Sequence, residues 1–147
     1  MTRGVVIFLA TVLLAAPACG RSLEEPQPSA PPRCDAGLSV PDGFEVVGTV
    51  VDRAPGHIGV RLDLKADDGR ELHYFSGIPG EFGEGLGDHG DVRLADGSTG
   101  RLAGDDTTWV LEWEDSTRCT PTVVLGTGMQ LPSFRRALRA AGALPSR

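Results

Sequence analysis

The densest run of groups able to do chemistry lies between Gly77 and Gly90, where GIPGEFGEGLGDHG sets six glycines among Glu81, Glu84, Asp88 and His89, with Asp91 immediately after. Gly85, Gly87 and Gly90 match the spacing G-x-G-x-x-G, in which glycines let the backbone approach a pyrophosphate at a helix N-terminus. The context speaks against that use: no apolar strand leads in, a short strand and not a helix follows, and four acids repel phosphate. Carboxylate oxygens on a flexible loop suit a hard cation better. Glu84, Asp88, His89 and Asp91 are therefore the candidate cation or ligand contacts. The EF-hand spacing is missing, and a solvated loop is the simpler reading of the same residues.

The other reactive groups are scattered. His57, His73 and His89 stand 16 residues apart on different predicted elements, and no His or Cys pair has the close spacing of a zinc site. Ser98, within Gly97-Ser-Thr-Gly100, matches no nucleophile elbow. Trp109 and Trp113 share one face of a predicted strand with Leu111 between them, an arrangement able to stack a sugar ring. In a chain with only eight aromatic residues, the core has first claim on two tryptophans. The arginines at 135, 136 and 139 suit either a phosphate-bearing partner or a solvated helix face. These residues point to no catalytic set, no metal site and no cofactor. The expected activity is non-enzymatic binding of a ligand or partner protein; the alternative is an enzyme or enzyme inhibitor whose site is assembled from dispersed residues.

The three cysteines divide by position. Residues 4–18 (GVVIFLATVLLAAPA) follow Arg3 and carry no charge, the layout of a secretory signal. The run is shorter than the roughly 20 apolar residues that span a bilayer. It ends in Ala16-Pro17-Ala18-Cys19, which resembles the lipobox of bacterial lipoproteins, with small residues ahead of a cysteine. That resemblance covers residues 1–19 and implies cleavage before Cys19 and a diacylglyceryl group on its thiol. A simple secretory cleavage after Ala18 is the alternative. With Cys19 acylated, Cys34 and Cys119 remain as an even pair for an oxidising compartment, against the alternative of two free buried thiols.

Between Cys19 and Cys34, GRSLEEPQPSAPPR holds four prolines and one large apolar residue. Such a segment cannot bury a core and reads as an extended tether. At about 3.1 Å per residue its reach is roughly 40 Å. Removing Arg3 with the signal leaves 13 basic and 20 acidic residues, a balance of −7. This excludes a basic nucleic-acid footprint. It also assigns membrane attachment to acyl chains and not to surface charge, since an acidic domain is repelled by anionic lipid. The expected partners are the membrane through the N-terminal lipid, and an envelope protein or small ligand.

The remaining residues, 34–147, read as one β-rich domain. His57 to Lys65 alternates, with Ile58, Val60, Leu62 and Leu64 on one face. Phe44 to Asp52 is rich in β-branched residues, and Asp67-Asp68-Gly69 turns the chain back into Glu71 to Ser76. Asp91 to Ala95 and Thr99 to Ala103 flank a second turn at Asp96-Gly97-Ser98. Thr107 to Glu114 and Thr122 to Leu125 complete six or seven strands. Pro132 and Ser133 open a helix that Gly142 ends. The expected fold is mainly β, an antiparallel sandwich or small barrel with one C-terminal helix.

Overall fold

The computed structural model describes residues 34–54, 56–114 and 119–146. The signal segment, Cys19 and the tether lie outside the described residues. The β-branched and alternating segments form strands at the expected places: β1 (Glu45–Ala54), β2 (His57–Lys65), β3 (Glu71–Ser76), β4 (Gly87–Arg93), β5 (Thr99–Gly104), β6 (Thr108–Trp113) and β7 (Thr122–Thr127), followed by the helix α1 (Leu131–Ala140).

The fold is mainly β. All seven strands join one antiparallel sheet in the order β1-β2-β3-β7-β6-β5-β4, so the choice between sandwich and barrel gives way to a single sheet with a helix on one face. Two meanders build it. The first, β1 to β3, depends on the turn at Gly69, whose φ of 86° demands glycine. The second runs from β4 to β7 and returns the chain to the side of β3. Residues 77–86 must therefore cross β7, β6 and β5 to reach the far edge.

Period-two burial along β3 and β5 places alternate residues on the helix side. Leu64, Leu72, Tyr74, Leu102, Trp109, Leu111 and Val124 form the buried layer there, and Phe134, Ala137 and Leu138 of α1 pack into it. Two glycines allow the closest contacts. A Cβ on Gly126 would lie 2.6 Å from the Phe134 ring, and one on Gly104 would lie 2.2 Å from the Trp109 ring. Trp109 also satisfies its indole N–H by donating to the Met129 carbonyl at 3.1 Å.

The helix stops at Gly142, whose φ is 85°. The Gly142 amide donates to the Arg139 carbonyl at 3.1 Å and the Ala143 amide to the Leu138 carbonyl at 2.9 Å, which closes the last turn as a Schellman motif.

The segment 34–44 is fastened to the helix side of the sheet. The Cys34 amide donates to the Ile58 carbonyl at 2.7 Å, the Ser39 amide to the Ala141 carbonyl at 3.0 Å, and the Tyr74 hydroxyl to the Ser39 carbonyl at 3.1 Å. Cys34 and Cys119 form a disulfide with Cα atoms 5.3 Å apart, across 85 residues of chain. The two cysteines are a bridge and not free thiols, the chemistry of an oxidising compartment.

A loop of this length carries a chain-entropy contribution of about 4 kcal/mol. Replacing both cysteines by serine is expected to lower the unfolding free energy by about 2–5 kcal/mol in urea titration. Gly126→Ala is expected to cost about 2 kcal/mol by overpacking, and Phe134→Leu added to it should recover part of that loss in a double-mutant cycle. An unchanged midpoint for Gly126→Ala would mean that the ring is not held against β7.

Candidate functional site

The structure separates the four candidate contacts of the glycine-rich run. Gly87 to Gly90 belong to β4, which begins four residues before the expected start at Asp91, so this part of the run is strand and not loop. Glycine and aspartate disfavour strands, and an irregularity between Asp88 and Asp91 accommodates them, with Gly90 at a φ of 78°. The Asp88 carboxylate accepts from the Gly90 amide at 2.9 Å and from Arg101 Nη2 at 3.1 Å. Those two donors hold it below the ordinary carboxylate range, the backbone amide most strongly. His89 packs its ring 4.9 Å from that of Trp109. Asp91 stands across from Arg101 in the ladder, and Glu84 lies on the crossover. Among the described residues, no three His, Cys, Asp or Glu side chains group to hold a metal ion.

The crossover itself covers the sheet face opposite the helix. Phe82 packs against Phe75, the two rings tilted at 51° with centroids 4.6 Å apart. Gly83, at a φ of 80°, lies over Ala103 and Val110. Between the crossover and the sheet is an open cavity of about 520 Å³ lined by Glu81, Glu84, Arg101 and Glu112 among others. His89 borders a different cavity, also of about 520 Å³, with Asp105, Asp106 and Trp109. Trp109 is buried and Trp113 packs against the same core, so the pair serves packing and not an exposed stacking platform.

Beside the crossover lies a constellation that the sequence reading missed. Arg61 grips Asp63 through two hydrogen bonds of 2.9 and 2.8 Å. His73 Nδ1 lies 2.5 Å from the same carboxylate, and its Nε2 faces Glu71 at 3.8 Å. Arg61 also lies over the Phe75 ring at 5.9 Å. An aspartate orienting a histidine supplies two of the three members of a hydrolytic triad. Here both ring nitrogens face carboxylates, and neither His73 nor Asp63 lines any of the cavities described above. The cluster therefore reads as an ion network that fastens β2 to β3. Burial raises the Asp63 pKa, but the hydrogen bonds from Arg61 and His73 outweigh it, and the carboxyl sits below its ordinary value.

No family model, curated protein or solved structure matches this chain. The reading of function therefore rests on the chain's own residues and their geometry.

The surface that departs most from an ordinary soluble domain is β1. Among the described residues it pairs only with β2 and forms one edge of the sheet. Val46, Val47, Val50 and Val51 are 45–56% exposed, and Val40 nearby is 42% exposed. By register, Val46 and Val51 lie on the helix side and Val50 on the other, so apolar groups face water on both sides of the strand. Next to it, a groove of about 490 Å³ is lined by Ala36, Leu38, Thr49, Val60 and Leu62. Nothing in the residue pattern signals this, because a β-branched strand on an edge has the same composition as one in a core.

The Asp63 shift fixes a pH dependence. A carboxyl whose folded pKa lies below its unfolded value near 4 stabilises the fold above about pH 4, and this stabilisation is lost as pH falls through the folded pKa. Asp63→Asn is expected to be less stable than the parent at neutral pH, with the two urea midpoints converging as pH falls toward about 2. Parallel curves across that window would remove the ion network from the stability account.

Proposed function

We propose that the chain is a lipid-anchored extracytoplasmic domain that binds an envelope protein along β1 and catalyses no reaction. The observation that carries this reading is the free valine edge. An edge strand presents a row of unpaired backbone donors and acceptors, and natural edges are usually kept short or guarded by charge. The ten residues of β1 place Glu45, Asp52 and Arg53 toward the ends and leave Val46 to Val51 uncharged. An extended partner segment would add a strand there, with main-chain hydrogen bonds giving affinity and the neighbouring apolar groove giving side-chain selectivity.

The address is supported by two further features. The Ala16-Pro17-Ala18-Cys19 resemblance supplies the lipid site, and the Cys34–Cys119 bridge fits an oxidising compartment. A proline-rich tether between Cys19 and Cys34 would leave the domain free to present β1 at a distance from the bilayer. The alternative of an enzyme draws only on Asp63 and His73, whose geometry favours an ion network.

Two measurements test the reading. Cys19→Ser should abolish the diacylglyceryl mass on the N-terminal peptide and move the protein out of the detergent phase; retention there would place the anchor elsewhere. A photoreactive residue at position 50, introduced in the native cell envelope, should give a discrete protein adduct that Val46→Lys with Val51→Lys eliminates. Equal adducts from a control position in the β2–β3 turn, or adducts indifferent to the lysines, would refute binding at this edge.

A further inference from the structure

We infer that the arginine face of α1, together with Arg93, docks the domain on anionic lipid headgroups. The inference rests on the lipid-anchored reading and concerns a surface separate from β1.

Charge is distributed unevenly along the chain. No acidic residue follows Asp115, whereas Arg118, Arg135, Arg136, Arg139 and Arg147 do. The fold gathers three of these on one side of α1, because Phe134, Ala137 and Leu138 take the buried side. A depression of about 420 Å³ is lined by Leu131, Pro132, Arg135, Arg136 and Arg139. A second, of about 360 Å³, shares Arg135 and Arg139 and adds Arg93 from the edge strand β4. Among the described residues, no carboxylate lines either depression.

The same four arginines form no ion pair among the described residues. Arg61, Lys65, Arg70 and Arg101, by contrast, each sit against a carboxylate. Four unneutralised guanidinium groups on a chain of net charge −6 make a local field opposite in sign to the whole. Guanidinium presents paired N–H donors that match phosphate oxygens, and Leu131 and Pro132, which line the same depression, suit the acyl boundary beneath.

Position favours a membrane over an acidic protein as the occupant. The tether would join the domain at Cys34, five residues from Ser39, which bonds to Ala141 at the end of α1. Five residues span at most about 18 Å, well inside the tether's own reach of roughly 40 Å. The anchored domain is thus confined where its helix can meet the headgroups. Net repulsion is screened beyond about 8 Å at physiological salt, so at contact the local patch decides, with each arginine contributing roughly fivefold in partition.

The test uses the mature chain carrying Cys19→Ser, so that charge is read without acyl chains. Co-sedimentation is measured with phosphatidylcholine vesicles with and without about one-third phosphatidylglycerol, at low salt and at about 0.5 M salt. Binding to the anionic vesicles alone, release by salt, and a loss of about tenfold or more in Arg135→Gln/Arg136→Gln/Arg139→Gln are expected. Arg70→Gln, in the β2–β3 hairpin, should bind as the parent does. If the triple variant does not fold, Arg136→Glu at the exposed position serves in its place.

Equal binding to neutral vesicles, no binding to anionic ones, or binding indifferent to the arginine changes would overturn the inference. So would saturable binding of inorganic phosphate without any vesicle preference, which would assign the patch to a soluble phosphate ligand. Because the assayed chain carries no lipid, its failure alongside an acylated Cys19 in cells would remove only this inference. Success alongside an unacylated Cys19 would remove only the anchor.

Discussion

Phe134 reaches the sheet only because Gly126 has no side chain, and the placement of nearly everything else follows from that contact. A ring that would meet a Cβ at 2.6 Å seats the helix directly on β7, with Leu72 of β3 beside it. Trp109 lies over Gly104 in the same manner and extends the layer toward β5. A helix is about 10 Å across, whereas seven strands at about 4.8 Å spacing make a sheet some 29 Å wide. One helix therefore covers two or three strands. The segment from Cys34 to Phe44 covers part of β2 and β3, and nothing described extends over β1. On the helix side, the exposure of Val46 and Val51 is the consequence of a cover too narrow for the sheet.

The opposite face is governed by connectivity. Because β7 lies between β3 and β6, the chain leaving β3 has to cross three strands, about 19 Å, to begin β4. The glycines of the crossover allow it to lie flat, so that Val110 and Val123 beneath are 3% and 0% exposed. The path diverges from β2, and the residues it leaves half-covered there are Arg61, Asp63 and His73. An apolar row in that position would face water on one flank; a hydrogen-bonded ion network tolerates partial solvation. The glycine-rich run thus lines the sheet face opposite the helix.

Much of this fold was legible because its strands follow local patterning. β2 alternates cleanly, and Gly69, Gly97 and Gly142 stand where positive φ is required. The start of β4 was not legible, since Gly-Asp-His-Gly has no strand preference and pairs only through an irregular register. The Asp63–His73 contact was within reach. Once Asp67-Asp68-Gly69 is taken as the turn, antiparallel register sets Lys65 against Glu71, Asp63 against His73 and Arg61 against Phe75. What withheld it was reading histidines for spacing along the chain in place of pairing across a hairpin. The valine edge had no such signal, because edge and centre are decided by long-range order.

Strand order also relates the two proposed surfaces. β1 and β4 are the opposite edges of the sheet; the valines lie on one, and Arg93 with the arginine side of α1 lies toward the other. If acyl chains alone held the domain, a proline-rich tether would let it turn freely, and β1 would face the bilayer as often as the solvent. A second, electrostatic contact on the β4 side would remove most of that rotational freedom and direct the valine edge away from the lipid. An edge strand captures a partner only when its unpaired backbone is accessible along its length. The arginines would then act on binding without touching the partner, by fixing which edge of the sheet the partner meets.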